Sequence, residues 1–251
     1  MIHSLLPLDD GNWFENAQKR ISVRQYSGAP DEAQFEALTQ FAQKISGNGV
    51  RAVVRRGDVF TRVITGTDTY AALIASKDAM KERAGYAGEA LALQCISWGL
   101  GTCFLGVSMK KSAVRRDVLL RSEETLLCIL SIGTPAIPQT GKRSIHKTLE
   151  KLTSLNSGAL ELLPRWQREA FACARLAPSA LGRQPYEFRA GKDALSLDKK
   201  GGNFGYGDID AGIAMLHLEL GAAHCGKRGG WVRTPFAWIF GILEDFPGDD
   251  T

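Results

Sequence analysis

The sequence predicts an α+β protein built from two pseudo-symmetric α/β halves. Three observations predict it. An amphipathic helix, a turn and a strand occur in that order twice; each set is followed by a long helix apolar on most sides; and a polar, small-residue stretch at residues 153–159 has linker character between them.

In the first half, Ala33, Phe35, Leu38, Phe41, Ala42 and Ile45 recur near a 3.6-residue period, with Pro30 and Asp31 at the start, so a helix is expected over 31–44. Ser46-Gly47-Asn48-Gly49 ends it, and residues 50–57 have strand character. The apolar helix expected over 81–98 carries Gly88 early and would be central. A strand is expected over 126–132. In the second half, Trp166, Ala170, Phe171 and Ala174 mark a helix over 164–177, followed by a turn and a strand over 186–191. The second apolar helix, 208–224, carries Gly212, and a strand is expected over 238–243.

The order implies a divergent internal duplication divided into residues 1–155 and 156–251. The second half is below the usual domain size of about 100–150 residues, so the halves are expected to share a core as one compact unit. A single irregular α+β domain with chance echoes is the competing reading, because helix, turn and strand is a common order.

Bulk composition narrows the function. The 251 residues are 44% hydrophobic and 23% charged, near the globular average, and 31 Lys plus Arg stand against 27 Asp plus Glu without a concentrated patch, which argues against nucleic acid. The five cysteines form no CxxC pair and sit among apolar or small neighbours, so reduced core thiols in a cytoplasmic protein are expected, with no metal site. No stretch approaches the roughly 20 apolar residues of a membrane span, and residues 1–10 lack the pattern of an export signal. His3, His146, His217 and His224 cluster with no carboxylate or cysteine pattern, and His217, on an apolar helix, reads as a satisfied core residue.

Three short segments carry the chemistry. Arg20-Ile21-Ser22-Val23-Arg24 places two guanidinium groups and a hydroxyl at alternate positions, which an extended backbone would project from one side as donors for phosphate oxygens. Taken alone, charges on a solvated edge explain it as well. Gly99-Leu100-Gly101, leading into Phe104, Leu105 and Gly106, would let backbone approach a ligand, or would simply cap the helix. Ala177-Pro178-Ser179-Ala180-Leu181-Gly182-Arg183-Gln184-Pro185-Tyr186 forms a turn after the second amphipathic helix, and Lys142-Arg143 follows the last strand of the first half.

Together these segments resemble the nitroreductase family of FMN-dependent oxidoreductases. That family opens with Arg-x-Ser-x-Arg/Lys-x-Phe/Tyr, matched by Arg20, Ser22, Arg24 and Tyr26. Its helix ending in Ala-Pro-Ser-x-x-Asn-x-Gln-Pro-Trp is matched by Ala177, Pro178, Ser179, Gln184 and Pro185. Its Gly-Leu-Gly loop is matched by residues 99–101 and its late basic residue by Arg143. The resemblance spans most of the chain and implies central antiparallel sheets flanked by helices. Each of the two signatures occurs in only one half, so the chain resembles the subgroup in which one polypeptide mimics the family homodimer, and one FMN per chain is implied.

The resemblance assigns Arg20, Ser22, Arg24 and Arg143 to the phosphate and ribityl side, with Ile21 in the same cofactor-binding set. Pro178, Ser179 and Ala180 would lie on the isoalloxazine, Phe104, Leu105 and Gly106 at its N5 edge, and Gln184 in the cofactor-binding set. Gly182 stands where the family has Asn and Tyr186 where it has Trp. The implied partners are NAD(P)H and a small organic acceptor, a nitroaromatic, quinone or flavin, in a ping-pong cycle with no catalytic acid or base from the protein; the chain would be a monomer or weak homo-oligomer. A flavin carrier or redox sensor without turnover is the alternative, as is another reduction such as dehalogenation. Residues 201–207, rich in glycine, would form a loop that covers substrate or merely connects.

Overall fold

The computed structural model describes Ser4, residues 12–137 and residues 146–242. The chain forms two compact units, Lys19–Ser144 and a second made of Met1–Gln18 with Ile145–Thr251. The sequence reading set the division at 155/156; the units part at 144/145, and the first eighteen residues go with the C-terminal unit.

A short helix α1 (Trp13–Lys19) precedes the unit of residues 19–144. That unit contains β1 (Tyr26–Gly28), α2 (Glu32–Ile45), β2 (Val50–Arg56), β3 (Thr69–Ser76), α3 (Lys81–Ser97), β4 (Gly101–Leu105), α4 (Lys111–Asp117) and β5 (Glu124–Pro135). Asp31 starts α2 with a capping box: its carboxylate accepts from Gln34 N at 2.8 Å while the Gln34 amide accepts from Asp31 N at 3.1 Å. Leu38, Phe41, Ala42 and Ile45 are the buried face, as the period requires. Ser46 ends the helix and starts β2, its hydroxyl donating to Ala42 O and accepting from Ala52 N.

All pairings in this sheet are antiparallel, with order β1-β5-β3-β2 and β4 also on β5. β2 alternates inward Val50, Ala52 and Val54 with outer residues. Central β3 is buried on both faces from Thr69 to Ala75 and therefore shows no alternation. One sheet face carries the core of Val23, Tyr26, Tyr70, Ala72, Ile74, Cys103, Leu105 and Ile129. Every residue of α3 from Glu82 to Cys95 is buried.

The second unit adds α5 (Leu149–Thr153), α6 (Ser157–Glu161), α7 (Arg165–Arg175), β6 (Tyr186–Ala190), β7 (Ala194–Lys199), α8 (Gly207–His224), β8 (Gly229–Arg233) and β9 (Trp238–Ile242). The expected linker is thus partly helical, with Asn156 capping α6 through Ala159 N at 2.8 Å. The sheet order is β6-β7-β9-β8, again wholly antiparallel. Its pairings repeat those of β2, β3, β5 and β4 in the first unit, strand for strand in chain order. Helix α8 is buried from Ile209 to Ala222 and packs on α7 through Gly221, whose missing side chain would lie 2.5 Å from Ala170 Cα.

His217 is fully buried with Nδ1 3.1 Å from Cys173 O, the satisfied core position expected of it. All five cysteines are free. Among the described residues no helix is long and apolar enough to cross a membrane, and no group of three His, Cys, Asp or Glu could hold a metal.

Candidate functional site

In the unit of residues 19–144, chain order alone would leave residues 20–24 and β4 some eighty residues apart; the fold brings them side by side. Val23 N donates to Thr102 O at 2.9 Å, and Ser22 bridges to Thr102 in parallel register. On its other side the segment is held by Thr65 N donating to Arg24 O at 3.1 Å and Tyr26 N donating to Thr65 O at 2.9 Å. Gly101 makes room for it, because a Cβ there would meet Val23 Cγ2 at 2.6 Å. Tyr26 anchors the turn from below. Its hydroxyl donates to Val23 O at 2.7 Å and shares a 2.8 Å hydrogen bond with Ser131 Oγ, and burial pushes its pKa up.

The two arginines of the segment differ. Arg24 is exposed. The Arg20 side chain is only 5% exposed and its Nε lies 3.1 Å from Oε1 of Glu89, which is fully buried in α3. The Arg20 guanidinium also sits 5.7 Å from the centre of the Phe104 ring, while its Nη2 is buried with no hydrogen-bond partner among the described residues. Part of the Arg20 charge is thus matched within the fold, a pairing that sequence reasoning missed. Its signal was Glu89, the only charged residue between Ala84 and Ser97 in an otherwise mostly apolar stretch of helix.

Ile21, packed on the core, is half-buried, as are Ser22, Phe104 and Gly106; Leu105 is buried. Gly106 follows the last paired residue of β4, where the ladder to β5 ends. Cys103 lies close to the motif, but burial raises its thiol pKa against the opposing pull of Arg24, Arg20 and Ser22, which makes it a poor nucleophile. The Gly-Leu-Gly loop is chiefly a helix cap. Gly99 has φ +73°, Leu100 N donates to Cys95 O at 2.8 Å, and Gly99 N donates to Ile96 O at 3.0 Å, a Schellman pattern. Arg143 lies outside the described residues.

In the C-terminal unit, α7 runs into the half-buried Pro178, Ser179 and Ala180, and Ala180–Gly182 forms one turn of 3-10 helix. The Ala180 peptide is held from both sides. Its N–H donates to Asp210 Oδ1 at 2.8 Å, and its carbonyl accepts from Asn203 Nδ2 at 3.1 Å, which also donates to Asp210 Oδ2 at 2.6 Å. Asp210 is buried in the first turn of α8, and burial raises its pKa while the Asn203 and Ala180 donors oppose the rise. The glycine-rich loop is therefore tied to the turn through Asn203. Gly182 has φ +66°, a left-handed conformation that both Gly and Asn adopt readily, so its departure from the family Asn satisfies one backbone requirement.

Gln184 is bound into the turn at several points. It is fully buried with φ +43°, and its backbone N donates to Ser179 Oγ at 2.8 Å. Its side-chain Nε2 donates to Arg175 O at 2.8 Å, and its Oε1 accepts from Lys147 N at 2.7 Å. Lys147 Nζ in turn donates to Gln184 O at 2.8 Å. With its amide bonded at both ends, Gln184 sets the shape of the turn.

Comparison with known proteins places this architecture. No curated protein matches the chain's sequence. A protein of Thermotoga maritima described as a "putative nitroreductase" shares the fold at TM-score 0.69 and 17% identity, with 96% of this chain and 97% of that chain covered. An FMN-dependent nitroreductase of Clostridium difficile is 18% identical over 49% of this chain and 87% of its own, at TM-score 0.42. An FMN- and NADPH-dependent nitroreductase mutant from Sphigopyxis sp. is 16% identical over 58% of this chain and 99% of its own, at TM-score 0.46. The family model described as "Putative TM nitroreductase" matches residues 12–222, and the chain, which carries that family's fold, belongs to it.

Proposed function

We propose that this chain is an FMN-dependent oxidoreductase that uses NAD(P)H to reduce a small organic acceptor, a nitroaromatic, quinone or flavin, by a ping-pong cycle with one FMN per chain. The observation that carries the reading is the docking of residues 20–24 along β4, which sets Ser22 on Thr102 and Arg20 against Phe104 within a family of nitroreductases.

The donors present fit a phosphorylated cofactor. Arg24 is exposed, Ser22 offers a hydroxyl, and the buried Arg20 Nη2 has no hydrogen-bond partner among the described residues. In this reading Arg24 supplies the accessible charge, Arg20, fixed by Glu89, supplies a pre-oriented one, and Ile21 packs beneath them. Arg143 joins them on the family resemblance alone. On the family resemblance alone, the backbone of Phe104, Leu105 and Gly106 would meet the ring edge, and Pro178, Ser179 and Ala180 would face the ring. The latter lie in a turn held in shape by Gln184, Asp210 and Asn203.

FMN supplies the redox chemistry, accepting hydride from the nicotinamide and passing electrons to the acceptor. The residues supply position and charge, and none is assigned as an acid or base. One open face serving both substrates in turn accounts for the ping-pong order. The matching strand order of the two units supports a duplicated ancestor in which one set of cofactor residues was kept. The test is to add FMN and then NADH to the purified chain: flavin retention followed by bleaching of its yellow band is expected. Retention without bleaching would make the protein a flavin carrier.

A further inference from the structure

Leu181 and Phe204 each hold φ +56°, a region bulky residues seldom occupy, and each is displayed to solvent, 78% and 70% exposed. Both sit in single 3-10 turns beside glycines that could have taken that conformation, Gly182 at φ +66° and Gly205 at φ +91°. The Asn203–Ala180–Asp210 hydrogen bonds join the residues just before them, so the two side chains belong to one rigid tip. Arg183 completes it, its guanidinium 4.5 Å from the centre of the Phe204 ring.

Leu119 has a similar φ, +50°, and the same exposure, but there Leu120 N donates to Arg115 O and closes α4, which accounts for the backbone. No helix end explains Leu181 or Phe204.

We propose that Leu181, Arg183 and Phe204 form the acceptor-recognition surface and favour flat aromatic acceptors carrying negative charge. The proposal rests on the oxidoreductase reading and extends it to the acceptor. An aromatic ring and a leucine beside Ala180 offer stacking area for a planar substrate, and a cation on the same tip attracts an anionic substituent.

Steady-state kinetics with 4-nitrobenzoate and nitrobenzene test it. Phe204→Ala should raise KM for both acceptors about fivefold, the range of an aromatic contact. Arg183→Gln should raise it for 4-nitrobenzoate alone. The flavin content should stay at the wild-type value, and Leu119→Ala should behave as wild type. Phe204→Gly, which adopts positive φ without strain, should be at least as stable as wild type and yet share the KM defect, so misfolding is separable from lost recognition. Unchanged acceptor KM in the flavin-loaded Phe204 variants would overturn the proposal. A wild-type chain that retains no flavin would instead sink the reading beneath it.

Discussion

Arg20 carries a charge that the fold already pairs in part, with Glu89. Reversing it would set two carboxylates together in a buried site, because Glu89 is already there. Arg20→Ala is expected to lower stability by about 3–5 kcal/mol, since it breaks a buried ion pair with Glu89. Arg24→Glu, at an exposed position, should keep the wild-type Tm and weaken FMN retention by about ten- to a hundredfold. If both variants melt as wild type, the Arg20–Glu89 pair has no structural role.

A second residue-scale expectation concerns acid. Glu124 receives hydrogen bonds from Arg51 Nε and Nη2, both at 2.7 Å, and these bonds hold its pKa at about 2 instead of 4.5. A depressed carboxyl stabilises the fold above its ordinary pKa and loses that contribution as pH falls through the folded value, so the window runs from about 4.5 down to about 2. Urea midpoints of Glu124→Gln should lie below wild type at pH 7 and approach it across that window. A gap independent of pH would refute the assignment.

At the scale of elements, α8 is specified by close approach as much as by apolar sequence. Gly221 lets Ala170 and the Glu169 carbonyl of α7 come against it, with an added Cβ falling 2.5 Å from both Ala170 Cα and Glu169 O. Both are backbone atoms, which cannot rotate away. Gly221→Ala is therefore expected to lower stability by about 1–3 kcal/mol, read as a lower Tm. Helix propensity alone predicts the opposite sign, since Ala is favoured over Gly within a helix.

The elements also show what periodicity reveals and hides. Helices α2, α3, α7 and α8 and strands β2, β5, β6 and β9 fell within a few residues of their expected positions, because caps and one-sided burial leave local marks. Strand β3 was not read, since a strand buried on both faces alternates nothing. Strand β8 begins with Gly229 and Gly230, which look like a turn, and Gly229 is there because Gly241 O and the Phe240 ring leave no space for a Cβ.

For the whole molecule, the sequence asymmetry yields a stoichiometry. One phosphate-binding segment and one Pro-Ser turn per chain predict a flavin to protein ratio near one after purification with FMN, measured from visible absorbance and amino-acid analysis. A ratio near two would refute the single-site reading. The matching strand order of the two sheets would then denote two working sites.

The sequence by itself determined the α+β class, the recurrence of helix and strand, the family, and which short segments to examine, because these are written in local periodicity and contiguous motifs. Only the tertiary structure decided what the motif residues touch. Arg20 meets Glu89 across 69 positions, Gln184 closes on Lys147, and Asn203 and Asp210 grip Ala180. Hydrogen bonds and ion pairs between distant residues depend on backbone placement within ångströms, and no local pattern encodes that distance.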